Sequence, residues 1–125
     1  MCTAEALNEI TSKVVQAARD SLGDKLHKVI LYGSYARGDY DDESDIDIMV
    51  LADIPLEETN GTRRKIRDRL NRIDMEHDVL LSLRVTSTAR FYEFLDVLPF
   101  YQNVLRDGVV LYACRRENFT RHIPA

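Results

Sequence analysis

Residues 45–52, "DIDIMVLA", constrain the fold more than any other stretch of this chain. In extended backbone, alternate side chains point to opposite faces. Ile46, Ile48 and Val50 therefore share one face, and Asp45, Asp47, Met49 and Leu51 share the other. Beyond the first turn both faces are apolar, so the strand belongs in the middle of a sheet that is covered on both sides.

The remaining patterns supply the cover. Leu7, Ile10, Val14, Ala17, Ala18 and Leu22 recur at helical spacing, which predicts a helix over residues 3–22, capped by Thr3 and stopped by Gly23. "KLHKVILY" reads as a strand before the acidic one, and "HDVLLSLRV" as one after it, with Val79, Leu81, Leu83 and Val85 on one face and Asp78, Leu80, Ser82 and Arg84 on the other. Residues 57–75 read as a helix with Ile66, Leu70 and Ile73 inward. Two shorter helices are expected at about 88–97 and 99–107, the second opened by Pro99 and ended by Gly108, and "VVLYA" adds a further strand. Alternation of strands and helices implies an α/β (α+β) protein with a small mixed sheet of three to four strands. The link over residues 32–45 is too short for a crossover helix, so the first two strands are expected to be antiparallel.

At 125 residues, one domain is the default. The net charge of −4 argues against direct nucleic-acid binding, which favours basic domains. Cys2 and Cys114 lack metal-ligand spacing and read as reduced thiols. The start of the chain lacks the basic and apolar regions of a signal peptide, and no apolar run is long enough to span a membrane. The cytoplasm is the expected compartment.

Six carboxylates fall between Asp39 and Asp47, a costly arrangement unless a positive charge sits among them. Asp45 and Asp47 are two apart in an extended segment, roughly 6.6 Å along the chain, so their arms can converge on one point. Mg²⁺ takes oxygen ligands of this kind, completed by phosphates and water. Directly after the preceding strand come Gly33 and Ser34. Glycine allows a positive φ and a close backbone approach. Serine in a tight turn can offer a hydroxyl and an N–H to a phosphate oxygen, and Arg37 can add a charge-assisted contact. A phosphate site beside a divalent-metal site describes a nucleoside triphosphate with Mg²⁺. Gly33 and Gly38 have the glycine spacing of a Walker A loop, but Asp39 and Tyr40 stand where its Lys and Ser/Thr are required.

The stretch "GSYARGDYDDESDIDIMV" resembles the signature of the DNA polymerase beta-like nucleotidyltransferases, and closely that of the minimal nucleotidyltransferase (MNT) domains: Gly-Ser, ten residues, then Asp-x-Asp. "DVLPFYQNVLRDGVVLY" is similar to that family's C-terminal segment, so the resemblance covers about residues 28–112. It implies that Gly33 and Ser34, with Arg37, hold the triphosphate, and that Asp45 and Asp47 bind Mg²⁺, with two ions expected. A third acid on a later strand would complete the site. Asp78 is the first choice, with Asp74 and Glu76 as alternatives. ATP is the implied substrate, and a hydroxyl acceptor would attack its α-phosphorus. The resemblance also implies a HEPN-domain partner, on whose tyrosine an antitoxin of this kind places AMP. A homo-oligomer is the other partner arrangement expected. Two alternatives stand beside this: an antitoxin that only binds its HEPN partner, and an adenylyltransferase of a small molecule such as an aminoglycoside.

Other features have plainer readings. The six basic residues of "RRKIRDRLNR" are expected on a solvated helix face. His27, His77 and His122 have no ligand spacing. Phe91, Tyr92, Phe94, Phe100 and Tyr101 fit core packing, and nothing fixes the direction of Tyr35 and Tyr40.

Overall fold

The computed structural model of the chain describes residues 3–70 and 79–114. Its elements are α1 (Ala4–Leu22), β1 (Leu26–Tyr32), α2 (Ser34–Arg37), β2 (Ile46–Ala52), α3 (Thr59–Leu70), β3 (Leu81–Ser87), α4 (Thr88–Glu93), α5 (Pro99–Asp107) and β4 (Val109–Ala113), with short 3₁₀ turns at Gly23–Lys25 and Leu56–Glu58. The four strands lie in the order β3-β2-β1-β4. β1 is antiparallel to both β2 and β4, whereas β2 and β3 are parallel, so the sheet is mixed as expected.

The acidic strand is central, and its two faces enter two separate cores. Ile46, Ile48 and Val50 join Val29, Leu31, Leu81, Leu83 and Val85 beneath α1 and α3. On the opposite face Met49 and Leu51 join Ile30, Tyr32, Phe91 and Val104, under α4 and α5. Ile46, Ile48, Met49, Val50 and Leu51 are wholly buried. Each such side chain contributes about 1.5–3 kcal/mol of hydrophobic stabilisation, so the apolar half of β2 pins the position of its acidic start.

The first helix follows its pattern closely. The Thr3 hydroxyl accepts a hydrogen bond from the Ala6 N–H at 3.0 Å, and Ile10, Val14, Ala17 and Ala18 are buried. α4 is shorter than the periodicity suggests, ending at Glu93. The chain then turns through Phe94–Leu98, held by N–H groups of Val97 and Leu98 donating to the Phe94 carbonyl, before Pro99 opens α5. Ile73 of the expected α3 stripe lies outside the described residues, and so do His77 and His122.

The basic side of α3 is exposed at Arg63, Arg64, Lys65 and Arg69, as expected, and two of its arginines also bond the sheet. β3 is an edge strand, and an edge leaves a row of carbonyls without sheet partners. Arg63 Nε donates to the Leu83 carbonyl at 2.8 Å, and Arg67 Nη1 reaches the Leu81 carbonyl at 3.5 Å. Two guanidinium groups four residues apart on one helix thus cover alternate carbonyls of the edge.

Candidate functional site

On the second face, one row of side chains runs from the buried edge of the core to solvent across three strands. Tyr32 at the end of β1, Asp47 near the start of β2 and Ser82 near the start of β3 are paired neighbours, so their side chains share this face. Tyr32 is buried and Asp47 half-buried. Asp45 stands one residue before β2 and is exposed, while the next N–H, of Ile46, is anchored to the Leu80 carbonyl at 2.9 Å. The central strand therefore delivers one carboxylate from its floor and one from its rim.

The turn in front is fitted to this strand. Gly33 has φ +77°, and a β-carbon there would collide with the Asp47 carboxylate. Only glycine meets both demands. The Gly33 carbonyl accepts from the Ala36 and Arg37 N–H groups at 3.1 Å each, and the Ser34 carbonyl accepts from Gly38 at 2.8 Å and Asp39 at 3.2 Å. Gly33 and Ser34 thus begin a closed single helical turn whose opening abuts Asp47.

The acidic loop divides its six charges by role. Asp39 pairs with Arg37 at 3.2 Å, in an exposed contact. Asp41 builds the loop itself: its carboxylate accepts from the Glu43 N–H at 2.9 Å and from the Ser44 hydroxyl at 3.2 Å. Tyr40 stacks on Tyr35 with ring centres 4.2 Å apart, which ties the loop to α2 and gives both tyrosines a direction.

Electrostatics single out Asp47. Burial pushes its carboxyl above the usual range, and the neighbouring Asp45 charge pushes the same way; the Ser82 hydroxyl, Arg84 and Arg37 pull it back. Ionised Asp45 and Asp47 are thus a repelling pair of oxygen donors, one already partly stripped of water. That donor set, with a repulsion that the nearby arginines offset only in part, fits a hard divalent cation. Among the described residues, no group of three His, Cys, Asp or Glu side chains is positioned around such an ion. Asp78, Asp74 and Glu76, the expected sources of a third carboxylate, lie outside the described residues.

The sequence reading gave no site role to Tyr32, Ser82 or Arg84, and it assigned Phe100 to core packing. Ser82 and Arg84 belong to this face by strand parity, but only the observed β2–β3 pairing brings them beside Asp47. Arg84 lies over the Phe100 ring at 5.2 Å, and Phe100 meets Tyr32 edge-on at 5.7 Å. Of the aromatic stretch, Phe91 is core, while Phe100 is 40% exposed beside the site.

Comparison with known proteins agrees with this geometry. The nucleotidyltransferase domain family model matches residues 12–109. Among curated proteins, "Putative protein adenylyltransferase MJ0604" of Methanocaldococcus jannaschii is 34% identical over 98 residues, covering 78% of this chain and 90% of the relative. Among solved structures, a toxin–antitoxin crystallised with AMP-PNP is 27% identical with a TM-score of 0.57, covering 87% of this chain and 77% of that one. A complex of tri-AMPylated Shewanella oneidensis HEPN toxin with MNT antitoxin shares the fold, with a TM-score of 0.52 at 23% identity and coverage of 90% and 76%. The family model spans most of the chain, a curated relative matches over a similar share, and the chain belongs to the nucleotidyltransferase domain family.

Proposed function

We propose that this chain transfers AMP from ATP to a hydroxyl of a protein acceptor, most specifically a tyrosine of a HEPN-domain partner, and so acts as an antitoxin. The observation that carries the reading is the contact between Gly33 and Asp47. The Gly-Ser turn and the strand bearing the paired acids abut so closely that a β-carbon at Gly33 would force the Asp47 carboxylate to move. The name of the M. jannaschii relative supports adenylyl transfer to protein, and the AMP-PNP-bound neighbour supports a nucleotide-using antitoxin.

In this reading Gly33 and Ser34 seat the triphosphate, and Arg37 exchanges Asp39 for a phosphate oxygen. An exposed pair of that kind is worth under about 1 kcal/mol, so the exchange is cheap. Asp45 and Asp47 would hold Mg²⁺, with Asp78 as the third acid and Asp74 or Glu76 in its place if the strand's start demands it. Mg²⁺ bound there supplies charge neutralisation of the phosphates and a more acidic acceptor hydroxyl. As the acceptor oxygen bonds to the α-phosphorus, the bond to the β-phosphate oxygen breaks and pyrophosphate leaves. The protein's part is to orient and to neutralise, since little covalent work remains for it. Phe100, 40% exposed near the start of α5 and in contact with Tyr32 and Arg84, offers an apolar surface for the acceptor protein.

The test is incubation of the chain with ATP labelled at the α-phosphate, Mg²⁺ and a HEPN-domain protein from the same genome. Label on the partner, lost when its tyrosines are replaced by Phe, is expected. A tight complex without label would mean inhibition by binding alone. Label only on added aminoglycosides or similar hydroxyl compounds would mean a small-molecule enzyme.

A further inference from the structure

We propose that Arg84 is a positioning residue for this site, clamped by the Phe100 ring and the Tyr32 hydroxyl so that it fixes the orientation of the Asp47 carboxylate. The inference rests on the functional reading above and adds to it a residue outside the Gly-Ser and Asp-x-Asp pattern. Two ring contacts and the strand register define the clamp. The guanidinium lies 5.2 Å from the centre of the Phe100 ring, a cation–π distance. Phe100 is held in turn edge-on against Tyr32 at 5.7 Å. Tyr32 is the cross-strand partner of Asp47, and Arg84 is the partner of Met49, two residues along the same face. Arg84 therefore reaches diagonally over β2 from one flanking strand toward the residue beside Asp47 on the other.

The charges follow this geometry. Arg84 favours the ionised form of the Tyr32 phenol against the effect of burial, and its charge acts on both Tyr32 and Asp47. Arginine suits the place because a planar guanidinium can stack on a ring and donate in its own plane at once, which an ammonium cannot. Ser82, on the other flank of Asp47, supplies a hydroxyl within reach of the same carboxylate. Asp47 is thus bracketed between a hydroxyl on β3 and a cation–phenol pair that bridges β3 and β1. An exposed arginine with neither ring nor phenol would wander among its rotamers. This one has two partners: Tyr32, which is buried in the second core, and Phe100, which rests edge-on against Tyr32.

Charge and position make opposite predictions for a cation. If Arg84 acted only as a positive charge near Asp45 and Asp47, deleting it would tighten binding of a divalent metal. If it orients Asp47, deleting it loosens binding. The probe is Mn²⁺ titrated into the full chain in the presence of AMP-PNP and followed by electron paramagnetic resonance. Arg84→Met is expected to weaken Mn²⁺ by about tenfold, the lower end of what loss of an orienting partner costs a metal site. Tyr32→Phe and Phe100→Leu keep every charge and are expected to weaken it by about threefold, in the same direction. The Arg84→Met/Tyr32→Phe double variant should bind no more weakly than Arg84→Met alone, because both changes break one clamp. Mn²⁺ binding by Arg84→Met equal to or tighter than the parent, or losses that multiply in the double variant, would overturn the proposal. Tyr32→Phe and Phe100→Leu are mild enough to keep the fold, so they decide the matter if Arg84→Met does not fold. Asp47→Asn in the same titration separates the two levels. Unchanged Mn²⁺ binding there overturns the parent reading and this proposal with it, whereas a loss with Asp47→Asn and none with the three clamp variants overturns this proposal alone.

Discussion

Gly33 and Asp47 meet across the β1–β2 junction so closely that no β-carbon fits between them. The glycine also sits at φ +77°, where an L side chain is strained. Gly33→Ala is therefore expected to fail twice. Positive φ costs about 1 kcal/mol or more, and the added methyl displaces the carboxylate. A shift of this kind next to the reacting groups should cut transfer by about 10²-fold, read as the initial rate of AMP incorporation. Denaturant unfolding should show a smaller loss than a core truncation gives.

Asp47 carries a stability penalty for its position. Burial and Asp45 raise its carboxyl above the usual range, so the ionised form is disfavoured in the folded chain. The folded state then holds this proton to higher pH than the unfolded state does, and stability from this group falls as pH rises through the raised value. Asp47→Asn removes the penalty. The expected result is a variant inactive in transfer whose thermal midpoint at neutral pH is above the parent's by up to about 3 °C. The gap should close as pH drops toward the ordinary carboxylate range, where the parent is protonated too. A scan of melting temperature against pH for both proteins checks the sign.

Arg63 covers a carbonyl of the β3 edge. Arg63→Ala should lower unfolding free energy by about 1–2 kcal/mol, as for loss of a hydrogen bond with one charged partner. It also uncovers an edge that can pair with another strand. Denaturant titration reads the first effect, and size-exclusion chromatography at rising concentration reads the second as new self-association.

Much of this was legible in the residues. The apolar second half of β2 announced a central strand with two cores, and the short link from Tyr32 to Asp45 announced an antiparallel start; the sheet has both. Those are local patterns, and burial enforces them. The clamp around Asp47 was not legible, because Ser82 and Arg84 owe their place to a parallel pairing 35 residues downstream of their partners Asp47 and Met49. Parity assigns them a face but names no neighbour. The edge-covering role of Arg63 and Arg67 was hidden for the same reason: a basic helix face looks solvated until an edge strand lies beside it. Asp41 and Asp45 are indistinguishable as letters, yet one closes a loop and the other stands exposed with its charge acting on Asp47.

Transfer from ATP labelled at the α-phosphate, compared among the parent chain, Asp45→Asn and Asp47→Asn, tests the central claim most directly. The account predicts Mg²⁺-dependent label on a HEPN-domain acceptor with the parent, and a fall of at least about 10²-fold with either variant while each stays folded. Full activity in a folded Asp45→Asn or Asp47→Asn chain would contradict it.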